Sequence, residues 1–187
     1  MIILGIDPGS RKTGFAVISS ENNRYDVVDF GTIFLTEIKS MPLKLVRIFD
    51  RVGGLFDKYK ITSVAVEAGY YGKNAQSAYK LGYARSAAVL AAALRNVDVT
   101  EYSPRKVKQA VTGNGNASKV QVKYMVGKLL SDGEKHDFRE DEADACAVAI
   151  CHAQNSGKGG GGYRNWKEFV ERNGHMVVHK TRSRSAK

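Results

Sequence analysis

At 187 residues the chain is long enough for one domain with a sizeable core, or one domain and a small appendage. Its 29 Lys or Arg against 19 Asp or Glu leave a net charge of +10, which points to an anionic partner: DNA, RNA or an acidic membrane surface. No stretch is apolar for long enough to span a bilayer, and the opening run Met1-Ile2-Ile3-Leu4-Gly5-Ile6 meets an acid, Asp7, without a basic leader. The N-terminus therefore reads as a first strand and not a signal peptide, and a cytoplasmic protein is expected.

Residues 2–7 form a continuous apolar run, as expected of a strand buried on both faces. Pro8-Gly9-Ser10 ends it, and residues 13–19 and 25–35 read as second and third strands, so the sheet should open with three antiparallel strands. Residues 41–59 carry apolar positions at helical spacing, Leu43, Leu45, Val46, Ile48, Phe49, Val52, Leu55 and Phe56. A fourth strand over 61–67 follows that helix, which makes a crossover and parallel pairing possible. An Ala-rich helix over 75–95 precedes a fifth strand over 97–102. Ser103-Pro104 then supplies an N-cap and a proline at the first helical position. Helices over 104–112 and 118–131 flank Gly113-Asn114-Gly115-Asn116, and 140–153 forms a last core helix. The two cysteines, Cys146 and Cys151, lie in that helix among Ala, Val and Ile and read as reduced core thiols. The order βββαβαβααα implies an α/β domain over 1–156: a five-stranded mixed sheet, three antiparallel strands then two parallel, flanked by helices. Gly159 to Gly162 form a glycine run, so 157–187 is expected to be a glycine-linked extension. With eight Lys or Arg against two Glu, it carries +6 of the net charge.

Carboxylates stand where a soluble core would not put them. Asp7 and Glu67 each end an apolar strand, and Asp141 and Asp144 lie three apart on the last helix, on one face. If the first and fourth strands are parallel neighbours, Asp7 and Glu67 emerge side by side, and the last helix can lay its acids over them. Small residues at Ala143, Cys146 and Ala147 would let it approach closely. Four clustered acids cannot all ionise without a compensating charge, and oxygen-only ligation favours Mg²⁺, with Mn²⁺ as a substitute. Two ions about 3.5–4 Å apart can drive phosphodiester hydrolysis. Taken singly, each feature has a bland alternative: Asp7 as a turn residue before Pro-Gly, and Asp141 and Asp144 as part of a solvated acidic helix start beside Glu140 and Glu142. Three coinciding segments in a basic protein argue against accident.

Ile3-Leu4-Gly5-Ile6-Asp7-Pro8-Gly9-Ser10-Arg11 resembles the opening of the RuvC family of Holliday-junction resolvases. Lys73-Asn74-Ala75, Ser77-Ala78, Lys80-Leu81-Gly82 and Ala84-Arg85 resemble a second family segment. Val107-Lys108-Gln109 and Asp141 with Asp144-Ala145 complete the set in the family's order, across about 1–153. The resemblance implies an RNase H-like fold and Mg²⁺-dependent nicking of four-way DNA junctions. It also implies a homodimer, a branch-migration helicase complex as partner, and Asp7, Glu67, Asp141 and Asp144 as metal-binding catalytic acids. It assigns Lys108 and Lys119 to the scissile region, with Lys73 and Arg105 as further DNA contacts. Tyr70 stands near the place where the family usually has a Phe and could stack on an unpaired base, although Tyr71 is one residue away. The extension after about 156 departs from the family pattern. Ala84, Ala88 and Ala92 recur at four-residue spacing and are expected to give the dimer a smooth helix face.

Three rival functions are weaker. An RNase H-like nuclease acting on RNA shares the acids. An actin-like or sugar-kinase ATPase needs a second lobe that 187 residues cannot hold. A non-catalytic DNA-binding subunit would not need the intact acid set. His175 and His179 have ligand spacing, but Val177-Val178 between them reads as strand.

Overall fold

A computed structural model describes residues 1–69 and 75–156. Residues 70–74 and the extension at 157–187 lie outside the described residues. Strand β1 (Ile2–Asp7) occupies the middle of a five-stranded sheet of order β3-β2-β1-β4-β5. β2 (Lys12–Glu21) and β3 (Arg24–Phe34) run antiparallel beside it, while β4 (Ser63–Glu67) and β5 (Val99–Tyr102) run parallel to it. The β2–β3 hairpin turns through Asn22 and Asn23, both at positive φ, 49° and 62°, which a two-residue turn between right-twisted strands requires. This is the mixed sheet expected from the element order. β5 starts two residues later than predicted, and a short 3₁₀ turn at Gly133–Lys135 was not anticipated.

Alternating side chains of β1 and β2 feed two cores. Leu4, Ile6, Phe15 and Val17 face α1 (Met41–Lys58) and α2 (Ala75–Ala93). Ile3, Ala16 and Ile18 face α5 (Glu140–Ser156), with α3 (Pro104–Thr112) and α4 (Lys119–Leu129) around it. The N-cap predicted at Ser103 forms, and a second cap, at Ser118, was not anticipated. The Ser103 hydroxyl accepts from the Lys106 backbone N–H at 3.3 Å, and Ser118 and Gln121 make a reciprocal capping box at the start of α4. Cys146 and Cys151 are buried free thiols, and burial raises the pKa of both.

One expectation is overturned. Ala84, Ala88 and Ala92 do not offer a dimer face, because they are buried in the core between α2, α1 and the sheet. Their small size serves packing within the chain. The outer side of the helix pair is instead apolar and exposed: Leu45, Val46, Phe49, Tyr83 and Leu90 line a groove of about 390 Å³ between α1 and α2.

The outer edge of β3 is interrupted. Pairing with β2 shifts between Val17 and Ile18, so Val28 bulges out of register. At its start, the Tyr25 carbonyl accepts from the backbone N–H and the hydroxyl of Ser131, at 2.8 and 3.1 Å.

Candidate active site

The register sets the site. Ile6 pairs with Val66 across the parallel β1–β4 ladder, so the next residues, Asp7 and Glu67, leave the sheet side by side. On the other side of β1, Asp7 pairs with Gly14 of β2. A Cβ on Gly14 would stand 1.9 Å from the Asp141 carbonyl oxygen, and one on Gly5 would stand 2.2 Å from that of Ala145. α5 therefore rests backbone-to-backbone on β1 and β2, which two glycines allow. That contact brings the first turn of α5, with Asp141 and Asp144, over the strand ends that carry Asp7 and Glu67.

The start of α5 is pinned. Glu142 is buried, and its carboxylate accepts from the Arg139 backbone N–H at 2.8 Å and the Thr32 hydroxyl at 3.1 Å. Its oxygens are engaged by these two donors, and Asp141 and Asp144 are partly buried, so of the acids at this helix start Glu140 is the solvated one. Each aspartate of α5 faces a lysine from a different side of the site. Lys119 Nζ lies 3.2 Å from Asp144 and 3.6 Å from Glu140, and Lys12 Nζ lies 4.0 Å from Asp141.

The electrostatics follow from burial and crowding. Burial, then Glu67, Asp144 and Asp141, push the Asp7 carboxyl well above the usual carboxylate range, and Lys119 only partly opposes them. Burial and Asp144 raise Glu67 to about 7, against the pull of Lys119 and Lys108. Asp144 is raised by burial, with Lys119 opposing. Burial disfavours the charge of Lys119, but Asp144 holds its pKa above normal. Among the described residues, no three Asp, Glu, His or Cys side chains close around a common point as they stand. The donor set nevertheless fits a hard divalent cation by its chemistry. It offers oxygen ligands only, and burial and mutual repulsion raise the pKa of Asp7, Glu67 and Asp144, which added positive charge would offset.

The remaining predicted residues divide. Lys108 is close enough to Glu67 to act on its charge, and Lys119 reaches the acids directly. Arg105 lies farther along, its side chain against Gly115. Gln109 fixes that loop, accepting from the Gly115 N–H at 3.0 Å and donating to the Gly113 carbonyl. Tyr70, Tyr71 and Lys73 fall outside the described residues. Sequence reading missed Lys12 and the anchoring role of Glu142. The signal for Lys12 was its place at the start of the second strand, just past the turn that follows Asp7, and for Glu142 its place three residues after Arg139 at a helix start.

Comparison with known proteins gives one answer. A family model described as crossover junction endodeoxyribonuclease RuvC matches residues 3–152. A protein of that name from Citrifermentans bemidjiense is 50% identical over 157 residues, 84% of this chain and 94% of the relative. Another from Porphyromonas gingivalis is 42% identical over 182 residues, 94% of this chain and 96% of the relative. The solved structure of T. thermophilus RuvC in complex with Holliday junction substrate superposes with a TM-score of 0.75 at 32% identity, covering 82% of this chain and 93% of that one.

Proposed function

From the premise that the chain belongs to the RuvC family of crossover junction endodeoxyribonucleases, we propose that Asp7, Glu67, Asp141 and Asp144 are its catalytic, metal-holding acids. The protein is a nuclease that resolves Holliday junctions. The observation that carries the site assignment is the convergence of two strand ends and one helix start on a set of mutually repelling acids with an incomplete countercharge. We read the cofactor as Mg²⁺, with Mn²⁺ able to replace it and two ions per site. When bound, such ions activate a water and stabilise the leaving oxygen of the phosphodiester. The chain's own groups do the rest. Gly5 and Gly14 let α5 sit down on the sheet, and Glu142 fixes its first turn. Lys119 and Lys108 put positive charge beside the carboxylates, where a phosphate must approach. Arg105 and Lys73 extend that charge along the DNA, and Tyr70 stacks at the open centre of the junction.

The test is a synthetic four-way junction with and without Mg²⁺. Glu67→Gln and Asp7→Asn should lose cleavage and retain binding. A Glu67→Gln protein that nicks at the wild-type rate would refute the assignment.

Resolution needs two symmetric nicks, so we place two copies about a two-fold axis. The apolar α1–α2 groove is the face for the second copy, in place of the alanine ridge. Leu90→Arg should then halve the mass in solution and uncouple the two nicks. A wild type that stays monomeric on junction DNA would exclude the arrangement. A branch-migration helicase complex as partner, action in the cytoplasm, and a DNA-affinity or docking role for the basic extension 157–187 belong to the same reading. None of the described helices is long and apolar enough to cross a membrane.

A further inference from the structure

A second cationic wall borders the carboxylates on the side opposite Lys108 and Lys119. A groove of about 500 Å³ opens beside Asp141 and is lined by Gly9, Ser10, Arg11, Lys12 and Thr36. By strand order it lies on the β2 side of Asp7, whereas Lys108 and Lys119 act on the β4 side. Of its two cations, Lys12 is placed by a neighbouring ring, while Arg11 is exposed. Lys12 and Phe34 are cross-strand partners, and the Phe34 ring, 44% exposed, has Lys12 Nζ 5.8 Å and the Arg139 guanidinium 5.1 Å from its centre. A cation resting on a ring loses less freedom on meeting an anion than one that sweeps through solvent.

The loop beneath is equally fixed. The Thr13 hydroxyl donates to the Gly9 carbonyl at 3.1 Å and accepts from the Gly9 N–H at 3.3 Å. The Leu35 N–H donates to the Arg11 carbonyl at 3.0 Å, and Lys44 Nζ donates to the Ser10 carbonyl at 3.2 Å. The Gly9 backbone folds so tightly that a Cβ there would stand 2.2 Å from the Lys12 carbonyl oxygen. Two basic side chains on a turn whose backbone is fixed, one of them resting by a ring, open onto a nuclease's acids, an arrangement that suits a chain of phosphates and not a base edge.

We infer that this groove is a phosphodiester subsite. It holds the one or two phosphates on one side of the scissile bond in the cleaved strand, so that the strand crosses the acids from the Arg11–Lys12 wall to the Lys108–Lys119 wall. The subsite rests on the resolvase reading above. It is tested by a methylphosphonate scan, in which neutral linkages replace phosphates one at a time around the cut, and by the salt dependence of junction binding in EDTA. The proteins compared are the full-length wild type, Arg11→Gln/Lys12→Gln, and Lys12→Arg. Wild type should bind less tightly when a phosphate next to the cut is neutral. The double variant should lose that sensitivity, and its slope of log affinity against log salt should flatten by up to about 1.8, at ~0.9 per contact. Lys12→Arg, which keeps the charge, should retain the wild-type pattern. A double variant with unchanged melting temperature, slope and scan would overturn the subsite while wild-type cleavage leaves the resolvase reading intact. A wild type that ignores four-way junctions would overturn both.

Discussion

Replacing Gly14 with Ala should disable catalysis far more than it destabilises the fold. The added Cβ would stand 1.9 Å from the Asp141 carbonyl oxygen and 2.5 Å from its carbonyl carbon. A carbon–oxygen contact is comfortable at roughly 3.3–3.6 Å, so the strand and the first turn of α5 must part by about 1.5 Å. Neither partner yields freely, because β2 is laddered on both sides and Glu142 ties the helix start to Thr32 and Arg139. Overpacking of this kind costs about 1–3 kcal/mol. For a domain of this size that is a fall in melting temperature on the order of 2–12 °C. The acids suffer more, since a displacement of about 1 Å in a catalytic group can lower the rate on the order of 100-fold. Single-turnover cleavage of a labelled junction, run beside a thermal melt and a binding titration, separates these effects. The expected result is a rate reduced on the order of 100-fold with junction affinity nearly intact. A Gly14→Ala protein that melts lower but cuts at the wild-type rate would refute the claim that this contact positions Asp141.

Other outcomes follow from the same geometry. Glu142→Ala leaves the Arg139 N–H and the Thr32 hydroxyl without their acceptor, which should cost about 1–3 kcal/mol and raise the Mg²⁺ concentration needed for half-maximal cleavage; Glu142→Gln, which keeps one acceptor oxygen, should lie between Ala and wild type. Gly54→Ala on the exposed side of α1 meets nothing within 4 Å and should stabilise the chain by about 0.5–1 kcal/mol by chemical denaturation, with activity unchanged. Glu67 takes its proton more readily when folded, at about 7 against an ordinary 4.5. As pH rises through that window the unfolded chain ionises first, so metal-free wild type should lose stability relative to Glu67→Gln between those values and recover it when Mg²⁺ is added.

The element order and the acids were legible because they rest on local signals: apolar runs that end in Asp7 and Glu67, a Ser-Pro helix start, and a three-residue spacing on one helix. The intervening helix made a parallel fourth strand possible, and the register then set β4 beside β1. What escaped the sequence was set by partners far away in the chain. An alanine ridge is the same signal whether it meets a second copy or the chain's own sheet, and only the burial of Ala84, Ala88 and Ala92 decides for the sheet. Glu142 looked like one more surface acid beside Glu140, because Thr32, its partner, lies 110 residues away. Lys12 reads as an ordinary basic residue in a turn until the β2–β3 register sets it against Phe34 and the approach of α5 sets it near Asp141.

The interrupted margin of β3 bears on how such a protein tolerates crowding. A long, straight, unpaired strand is a template onto which another chain can add, and repeated addition leads to fibres. Here the free margin is broken at Val28, the Tyr25 carbonyl near its start is already engaged by Ser131, and Arg24, Asp26 and Asp29 place charge along it. The opposite margin, β5, is only four residues long. Among the described residues, neither flank offers the run of free amides that open-ended growth needs. Copies of such a chain that meet on DNA would then join through side-chain faces, which can close after a fixed number of copies, and not through a growing backbone ladder.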